Sequence, residues 1–228
     1  MMKPVLVFDW NGTLLDDAYA LLETTNAILN RFGRATIDMK TFRKHCDVPL
    51  SRLYLRLGLS QDELATVDRD GSAIFHDAYE RLANRADLRE GARRVLELAR
   101  IEGASSIIVS NHIVDPLRSQ LRRLGINDYI DDVLAFESRD TQYKSMSKGE
   151  RLRLYMQKNN LKPTSTVIIG DMPVETDIAR NLGLISISIT GGFVSESRLR
   201  AAHPDYTISN HHELLPILRS HGFFRNAS

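Results

Sequence analysis

One segment indicates the fold of this chain more clearly than any other: Val5-Leu6-Val7-Phe8-Asp9-Trp10-Asn11-Gly12-Thr13-Leu14-Leu15-Asp16. Its first four residues form an apolar run that is typical of a buried strand, and the run ends at the acidic Asp9. Aspartate often serves only as a turn residue or a helix cap. At the end of a buried strand, however, a carboxylate costs free energy unless it has a partner or a chemical task.

The same strand pattern recurs along the chain, where short β-rich runs alternate with helical patterns. The candidate strands are Val5–Asp9, Ser106–Asn111, Asp132–Phe136, Thr166–Asp171, Ile185–Thr190 and the weaker Tyr206–Ser209. Most of them are nearly continuous runs of Val, Ile and Leu, as in strands that are covered on both faces. Strands that alternate with helices predict an α/β fold with a doubly wound parallel sheet.

Capping residues predict where several of the intervening helices begin and end. Asp115-Pro116 is typical of a helix start, with Asp115 as the cap and Pro116 at the first helical position. Ser147 predicts the start of another helix, and Gly183 predicts the end of a third.

One segment interrupts the alternation of strands and helices. Residues 17–86 show helical periodicity and contain no convincing strand. We therefore predict a core domain formed by residues 1–16 and 87–228, and a small all-helical domain formed by residues 17–86. Ligands of such sheets bind outside the carboxyl ends of the strands, so we expect the helical domain to lie there as a lid.

The charge balance and the cysteine count exclude several classes of function. The 228 residues contain 30 Lys and Arg against 29 Asp and Glu, a formal net charge of +1, which gives no electrostatic reason to bind nucleic acid or an anionic membrane surface. Cys46 is the only cysteine, so an intrachain disulfide is impossible. The apolar run before Asp9 is too short for a signal peptide or a membrane span. We expect a soluble, cytoplasmic protein, and the sequence leaves its oligomeric state open.

Acidic residues follow two of the candidate strands. The strand that starts at Thr166 ends in Asp171, and Glu175 and Asp177 come soon after it. If this strand lies beside the one that ends in Asp9, several carboxylates converge at one edge of the sheet. Crowded carboxylates need a cation, and a site made of oxygen ligands suits Mg2+.

Neutral donors and a lysine are expected at the same edge. The strand that starts at Ser106 ends in Ser110 and Asn111, whose hydroxyl and amide groups can donate hydrogen bonds to phosphate oxygens. Lys148, at the start of its helix, adds a positive charge. A nucleophile, a metal, oxyanion donors and a cation together predict a site for phosphoryl transfer.

Four motifs, in this order, resemble the haloacid dehalogenase (HAD) superfamily. They are Asp9-Trp10-Asn11-Gly12-Thr13, the strand ending in Ser110, Lys148-Gly149 before a helix, and Gly170-Asp171-Met172-Pro173-Val174-Glu175. The resemblance covers essentially the whole chain, because the helical insert between the first two motifs looks like the C1 cap of that family. It implies a Rossmann-like core with a helical cap, and a hydrolase similar to phosphoglycolate phosphatases.

The resemblance also implies a role for individual residues. Asp9 would attack phosphorus and form an aspartyl-phosphate intermediate on a small phosphorylated substrate. Mg2+ would be bound by Asp9, the backbone carbonyl of Asn11 and Asp171, with Glu175 supporting either the metal or Lys148. The groups that would contact or stabilise the phosphoryl group are Thr13, Ser110, Asn111 and Lys148, with Lys144 as the rival for the lysine role.

Asn11 departs from the family pattern. Most phosphatases of the family carry a second aspartate there, which protonates the departing oxygen and then activates water, and an amide does neither. Such a loss costs about 10²–10⁴-fold in rate. Three hypotheses follow: a phosphatase for substrates whose leaving group needs no proton, a slow phosphotransferase, or a catalytically weak protein that binds a phospho-ligand.

Other residues near the motifs have simpler interpretations. We expect His112 to be a surface or loop histidine and Trp10 to be a packing residue. Arg43, Arg52 and Arg56, in the helical insert, are expected to be solvated, and Gly191-Gly192 is expected to mark a turn.

Overall fold

The computed structural model describes residues 3–138 and 146–225, except for the side chains of residues 68–77. Its centre is a six-stranded sheet in the order β3-β2-β1-β4-β5-β6. All the strand pairs are parallel. The strands are β1 (Val5–Phe8), β2 (Ser105–Ile113), β3 (Asp132–Phe136), β4 (Thr166–Gly170), β5 (Ile185–Ile189) and β6 (Tyr206–Ile208). The predicted α/β fold with a parallel sheet is confirmed, and each predicted strand agrees with the observed one to within two residues.

Helices connect these strands. They are α1 (Ala18–Arg31), α2 (Met39–His45), α3 (Ser51–Arg56), α4 (Gln61–Ala83), α5 (Ala92–Ile101), α6 (Val114–Arg123), α7 (Lys148–Lys158), α8 (Pro173–Leu182), α9 (Glu196–Ala201) and α10 (Leu214–Ser220). Short 3-10 turns cover Asn127–Tyr129, Pro163–Ser165 and His211–Glu213. None of the helices within the described residues is both long and apolar enough to cross a membrane.

The continuous apolar runs of the strands are explained by burial on both faces of the sheet. Along β1, Leu6 and Phe8 belong to one hydrophobic cluster, whereas Val5 and Val7 belong to another. Successive side chains of a strand point to opposite faces, so the two clusters lie on opposite sides of the sheet. Full burial of such a side chain contributes about 1.5–3 kcal/mol to the free energy of unfolding, so the position of β1, and of the residues that follow it, is strongly stabilised.

The helical insert occupies most of the chain between β1 and β2. Helices α1 to α4 lie within residues 17–86, and α1 packs against α4. Ile28, Leu29 and Tyr54 belong to a small hydrophobic cluster that is separate from the two clusters beside the sheet. The division of the chain into a core domain and a cap domain stays a prediction.

Two of the three helix boundaries followed the capping residues. Ser147 caps α7 by accepting a hydrogen bond from the backbone of Glu150, and Gly183 ends α8 with a φ of 70°. The predicted start at Asp115-Pro116 is wrong, because β2 runs as far as Ile113 and α6 begins directly at Val114. Asp115 therefore lies in the first turn of the helix and is not its cap.

Candidate active site

Two acidic residues lie side by side where the central strands end. Asp9 follows β1 and Asp171 follows β4, and these strands pair in parallel with Phe8 opposite Ile169. The backbone N–H of Asp9 donates to the carbonyl of Ile169 at 2.9 Å, which continues the pairing beyond the last strand residue. The carboxylates predicted from the two strands therefore do meet at one edge of the sheet.

A buried lysine lies between two carboxylates at this edge. Lys148 is the first residue of α7, and its Nζ lies 2.8 Å from Oδ1 of Asp9 and 2.5 Å from Oε1 of Glu175. Burial by itself would lower the pKa of Lys148, but the carboxylates of Asp9 and Glu175 outweigh it and raise the pKa above its ordinary value. Lys148 is consequently a permanent cation here. The rival, Lys144, lies outside the described residues.

Backbone and hydroxyl donors hold the carboxylate of Asp171. Its Oδ1 accepts a hydrogen bond from the hydroxyl of Thr13 at 3.2 Å, and its Oδ2 accepts one from the backbone N–H of Phe193 at 2.7 Å. Two glycines allow this enclosure, since a Cβ added to Gly12 or Gly192 would lie 2.3 or 2.2 Å from Oδ2. Both loops therefore need glycine to approach the carboxylate so closely.

The pKa of Asp171 reflects this crowding. Burial raises it well above its ordinary value, and the negative charges of Asp9 and Glu175 raise it further. A cation in contact with the Asp171 carboxylate would offset both the loss of solvation and the repulsion from Asp9 and Glu175. Among the side chains that the structure describes, no three His, Cys, Asp or Glu residues are grouped as a metal cage. The donors fit a cation that keeps several water ligands, as Mg2+ usually does.

Glu175 and Asp177 have different surroundings. Glu175 is buried, with one carboxylate oxygen on Lys148 and the other accepting the backbone N–H of Met172 at 3.2 Å. Asp177 is 59% exposed and pairs with Arg180 at 2.7 Å. The expected convergence of Asp177 is wrong, because residues two apart in a helix do not share a face.

Ser110 and its neighbours line the edge on the β2 side. The hydroxyl oxygen of Ser110 accepts the backbone N–H of His112 at 3.1 Å. Arg151, stacked 4.0 Å from the ring centre of Phe136, donates to the carbonyl of Ser110 at 2.8 Å and to Oδ1 of Asn111 at 3.2 Å. The predicted phosphate-binding segment is thus held in place by α7, the helix that also carries Lys148.

His112 does not have the surface or loop position that we expected. It is only 7% exposed, and its Nε2 lies 3.3 Å from Oε1 of Glu80 in α4. Trp10 packs in the interior, as predicted, and its indole N–H donates to Oε1 of Gln120 at 2.7 Å. Gln120 also donates to Glu80 at 3.3 Å. The end of α4 is thereby joined to the edge of the core.

Asn11 belongs to a small polar network that sequence analysis did not find. Its Nδ2 donates to Oδ2 of Asp17 at 2.9 Å and to the hydroxyl of Tyr79 at 2.6 Å. Asp17 also accepts from the Tyr79 hydroxyl and, at 2.7 Å, from the backbone N–H of Gly12. Burial raises the pKa of Asp17 to about 6, against the opposing effect of the hydrogen bonds from Tyr79 and Asn11. In the sequence, only the short separation between Asp17 and the first motif indicates this network.

Arg43 joins the helical insert to a loop of the core. Its guanidinium donates to the carbonyl of Gly192 at 2.9 Å and to that of Gly191 at 2.5 Å, so the expectation of a solvated side chain is wrong. A guanidinium nitrogen of Arg56 lies 2.7 Å from Oδ2 of Asp47, and one of Arg52 lies 4.0 Å from the same oxygen. The Gly191-Gly192 turn therefore lies against Asp171, and hydrogen bonds from Arg43 of the helical insert hold it there.

Comparison with known proteins gives consistent matches. The sequence profile of the family described as "Haloacid dehalogenase-like hydrolase" matches residues 6–189. The chain is 24% identical over 210 residues to a protein of Synechococcus elongatus named phosphoglycolate phosphatase, with 92% of this chain and 94% of that protein covered. It is 22% identical over 218 residues to the probable phosphatase IndB of Dickeya dadantii, with 94% and 93% covered.

Solved structures show the same fold. A crystal structure from Clostridium acetobutylicum, described as that of a predicted phosphatase, aligns with a TM-score of 0.80 at 23% identity and covers 96% of this chain and 100% of its own. A haloacid dehalogenase-like hydrolase from Streptococcus pneumoniae aligns with a TM-score of 0.79 at 22% identity, with 95% and 98% covered. These similarities extend over both the sheet and the helical insert.

Proposed function

This chain belongs to the haloacid dehalogenase-like hydrolase family, and we propose that it is a Mg2+-dependent phosphatase that acts on a small phosphorylated metabolite through an aspartyl-phosphate at Asp9. The observation that carries the proposal is the position of Asp9, at the end of the central strand with Lys148 at 2.8 Å. Relatives named as phosphatases support the reaction class.

Asp9 is held in an orientation suited to attack. Its Oδ1 accepts hydrogen bonds from Lys148 and, at 2.7 Å, from the backbone N–H of Trp10. We assign the attack on phosphorus to the other oxygen, Oδ2. Lys148 then stabilises the negative charge of the transferring group, and because its ammonium is buried the interaction is stronger than it would be in water.

The phosphoryl oxygens would be bound along the end of β2 and by the first motif. The hydroxyl oxygen of Ser110 already accepts the backbone N–H of His112, which leaves the Ser110 proton to donate to a phosphate oxygen. The hydroxyl of Thr13 donates a hydrogen bond to Asp171, which keeps Thr13 close to the reaction centre. Asn111, held by Arg151, completes this side of the site.

Mg2+ would be bound by Asp9, Asp171 and the backbone carbonyl of Asn11, with water in the remaining positions. When bound, it supplies positive charge to the transferring phosphoryl group. Glu175 would contribute to this site through its negative charge and through Lys148, which it contacts at 2.5 Å. We also propose the cytoplasm as the compartment in which the protein works.

The test is phosphate release by the purified protein from phosphoglycolate, p-nitrophenyl phosphate and acetyl phosphate, with Mg2+ or with EDTA. We expect Mg2+-dependent release from at least one of them, and its loss in Asp9→Asn. Asp16→Asn is the matched control, because Asp16 has the same charge and follows the first motif closely, but is exposed. Equal release by Asp9→Asn and the wild type would refute the proposal.

Asn11 favours a second candidate, a protein that binds a phospho-ligand with little turnover. This alternative predicts that a beryllium fluoride complex, a mimic of the phosphoryl group on Asp9, binds in the presence of Mg2+ although no substrate is hydrolysed. Calorimetry with the wild type and with Asp9→Asn separates the two candidates from a protein that has no phosphoryl site.

A further inference from the structure

The hydrogen bonds around Asn11 fix which way its amide faces. A carboxylate only accepts hydrogen bonds, so the group that faces Asp17 at 2.9 Å must be the Nδ2 of Asn11. The Tyr79 hydroxyl gives its single proton to Asp17 and can therefore only accept from Asn11. Both N–H bonds of the amide are used in this way, and Oδ1 is turned away from Asp17 and Tyr79.

The network holds no donor for a departing oxygen. Asn11 offers only the acceptor Oδ1, and Tyr79 has no second proton. Asp17 accepts from three donors, which are the amide of Asn11, the Tyr79 hydroxyl and the backbone N–H of Gly12. The first motif therefore places an acceptor where a phosphatase needs an acid for poor leaving groups.

We propose that the natural substrates are phosphate esters or anhydrides of acidic hydroxyl groups, such as acyl, enol or aryl phosphates, whose oxygen departs without a proton. We assign Tyr79, which reaches the site from α4 in the helical insert, as the positioning residue that keeps the Asn11 amide in this orientation. The inference rests on the proposed phosphoryl transfer to Asp9.

The first step, transfer of the phosphoryl group to Asp9, needs no acid for such a leaving group. The Asp9 oxygen forms a bond to phosphorus, the bond from phosphorus to the leaving oxygen breaks, and that oxygen keeps the electron pair as an anion. Water then forms a bond to phosphorus, and the Asp9–phosphorus bond breaks with its electron pair returning to the carboxylate. Hydrogen phosphate is released, and the second proton of the water passes to solvent.

The test is the dependence of kcat/KM on the acidity of the leaving group, across aryl phosphates from nitrophenyl to phenyl and one alkyl phosphate. For the wild type we expect a steep fall as the leaving group becomes less acidic. The double variant Asn11→Asp/Asp17→Asn exchanges amide and acid while keeping the number of atoms. It should flatten the dependence and raise kcat/KM for the alkyl phosphate about 10²–10⁴-fold.

A second variant keeps the test decisive if the double variant does not fold. Tyr79→Phe removes one acceptor from the Asn11 amide, so one N–H can turn to the leaving oxygen, and the dependence should become shallower. A residue with only a structural role would lower all the rates together. Tyr19→Phe is the control, because Tyr19 is 67% exposed on α1.

The outcomes separate the inference from the proposed function. Wild-type protein that hydrolyses alkyl and aryl phosphates with similar kcat/KM would overturn the inference and leave the phosphatase intact. A dependence that is unchanged in Tyr79→Phe would overturn the role of Tyr79. Wild-type protein that releases no phosphate and forms no phosphoryl-Asp9 would refute both.

Discussion

Two polar clusters meet at the first motif, and they are stabilised in different ways. On the core side, Asp9 is paired with the buried cation Lys148, at the edge where Mg2+ is proposed to bind. On the side of the helical insert, Asp17 is buried, forms no ion pair among the side chains that the structure describes, and is held by neutral donors from Asn11 and Tyr79. The charged cluster, Asp9 with Lys148, fits the transfer of a phosphoryl group. The cluster of Asn11, Asp17 and Tyr79, called the neutral cluster because the donors to Asp17 are uncharged, supplies no proton. Phosphoryl transfer and acid catalysis are therefore separate properties of this site.

The largest expected effect comes from breaking the charged cluster. Lys148→Met keeps the apolar stem and removes the cation, which leaves Asp9 and Glu175 uncompensated. We expect activity to fall about 10²–10³-fold, as for the loss of one group that stabilises the transition state. The free energy of unfolding should fall by about 3–5 kcal/mol, the usual cost of removing one partner of a buried ion pair. Steady-state kinetics and urea unfolding measure the two effects.

Two further variants show whether the effect belongs to the cluster. Lys158→Met, at the exposed end of the same helix, should change neither quantity. Lys148→Met/Glu175→Gln removes one charge of each sign and should regain part of the stability while the activity stays low. A double variant that is as unstable as Lys148→Met would contradict the electrostatic explanation.

A smaller effect is expected from the loop that encloses Asp171. In Gly192→Ala, the added Cβ would lie 2.2 Å from Oδ2 of Asp171, so the loop or the carboxylate has to move. We expect a loss of stability of about 1–3 kcal/mol, as for overpacking elsewhere, and a higher Mg2+ concentration for half-maximal activity. Ser195→Ala, in the same loop, is the control. An unchanged Mg2+ dependence would argue against Asp171 as a metal ligand.

The smallest effect concerns His211, a fully buried residue behind the first motif. Its Nε2 lies 2.8 Å from the carbonyl oxygen of Thr13, and because that oxygen can only accept a hydrogen bond, this nitrogen carries a proton. Burial lowers the pKa of His211 to about 4, in spite of the hydrogen bond to Thr13 and with a small contribution from the charges of Arg89 and His212.

The sign of the pH dependence follows from this shift. The unfolded chain protonates His211 below about pH 6.5, but the folded protein does so only near pH 4. The stability from neutral His211 is therefore complete above about pH 6.5 and falls as the pH drops towards 4, by at most about 3 kcal/mol. His211→Gln should lack this fall. Asp17, whose raised pKa acts in the opposite direction, is present in both proteins and cancels in the difference. Parallel profiles from urea unfolding at several pH values would contradict the prediction.

The sequence predicted the charged cluster because its signals are local. A continuous apolar run reports burial on both faces of the sheet, and the acid after it marks the edge, as at Asp9 and Asp171. Ser147 placed Lys148 at a helix start, which is also a short-range signal. Parallel pairing then brings these residues together without any information about the helical insert.

The neutral cluster and the loop contacts could not be predicted in this way. Tyr79 is 62 residues from Asp17, and Arg43 is 149 residues from Gly192, so both contacts depend on how the insert packs on the core. The sequence predicts a surface or loop position for His112 for the same reason, since its partner Glu80 comes from α4. The hydrophobic pattern of a single segment cannot predict contacts between two distant parts of the chain.

Phosphoryl transfer to Asp9 is tested most directly by a rapid acid quench of the wild-type protein mixed with Mg2+ and p-nitrophenyl phosphate. Peptide mass spectrometry then locates any phosphoryl group. Phosphoryl transfer without acid catalysis predicts a fast release of one nitrophenolate per site, a phosphoryl group on Asp9 and slow hydrolysis afterwards, because Asn11 cannot activate water. Steady turnover with no phosphoryl group on Asp9, or with the phosphoryl group on another residue, would contradict phosphoryl transfer to Asp9.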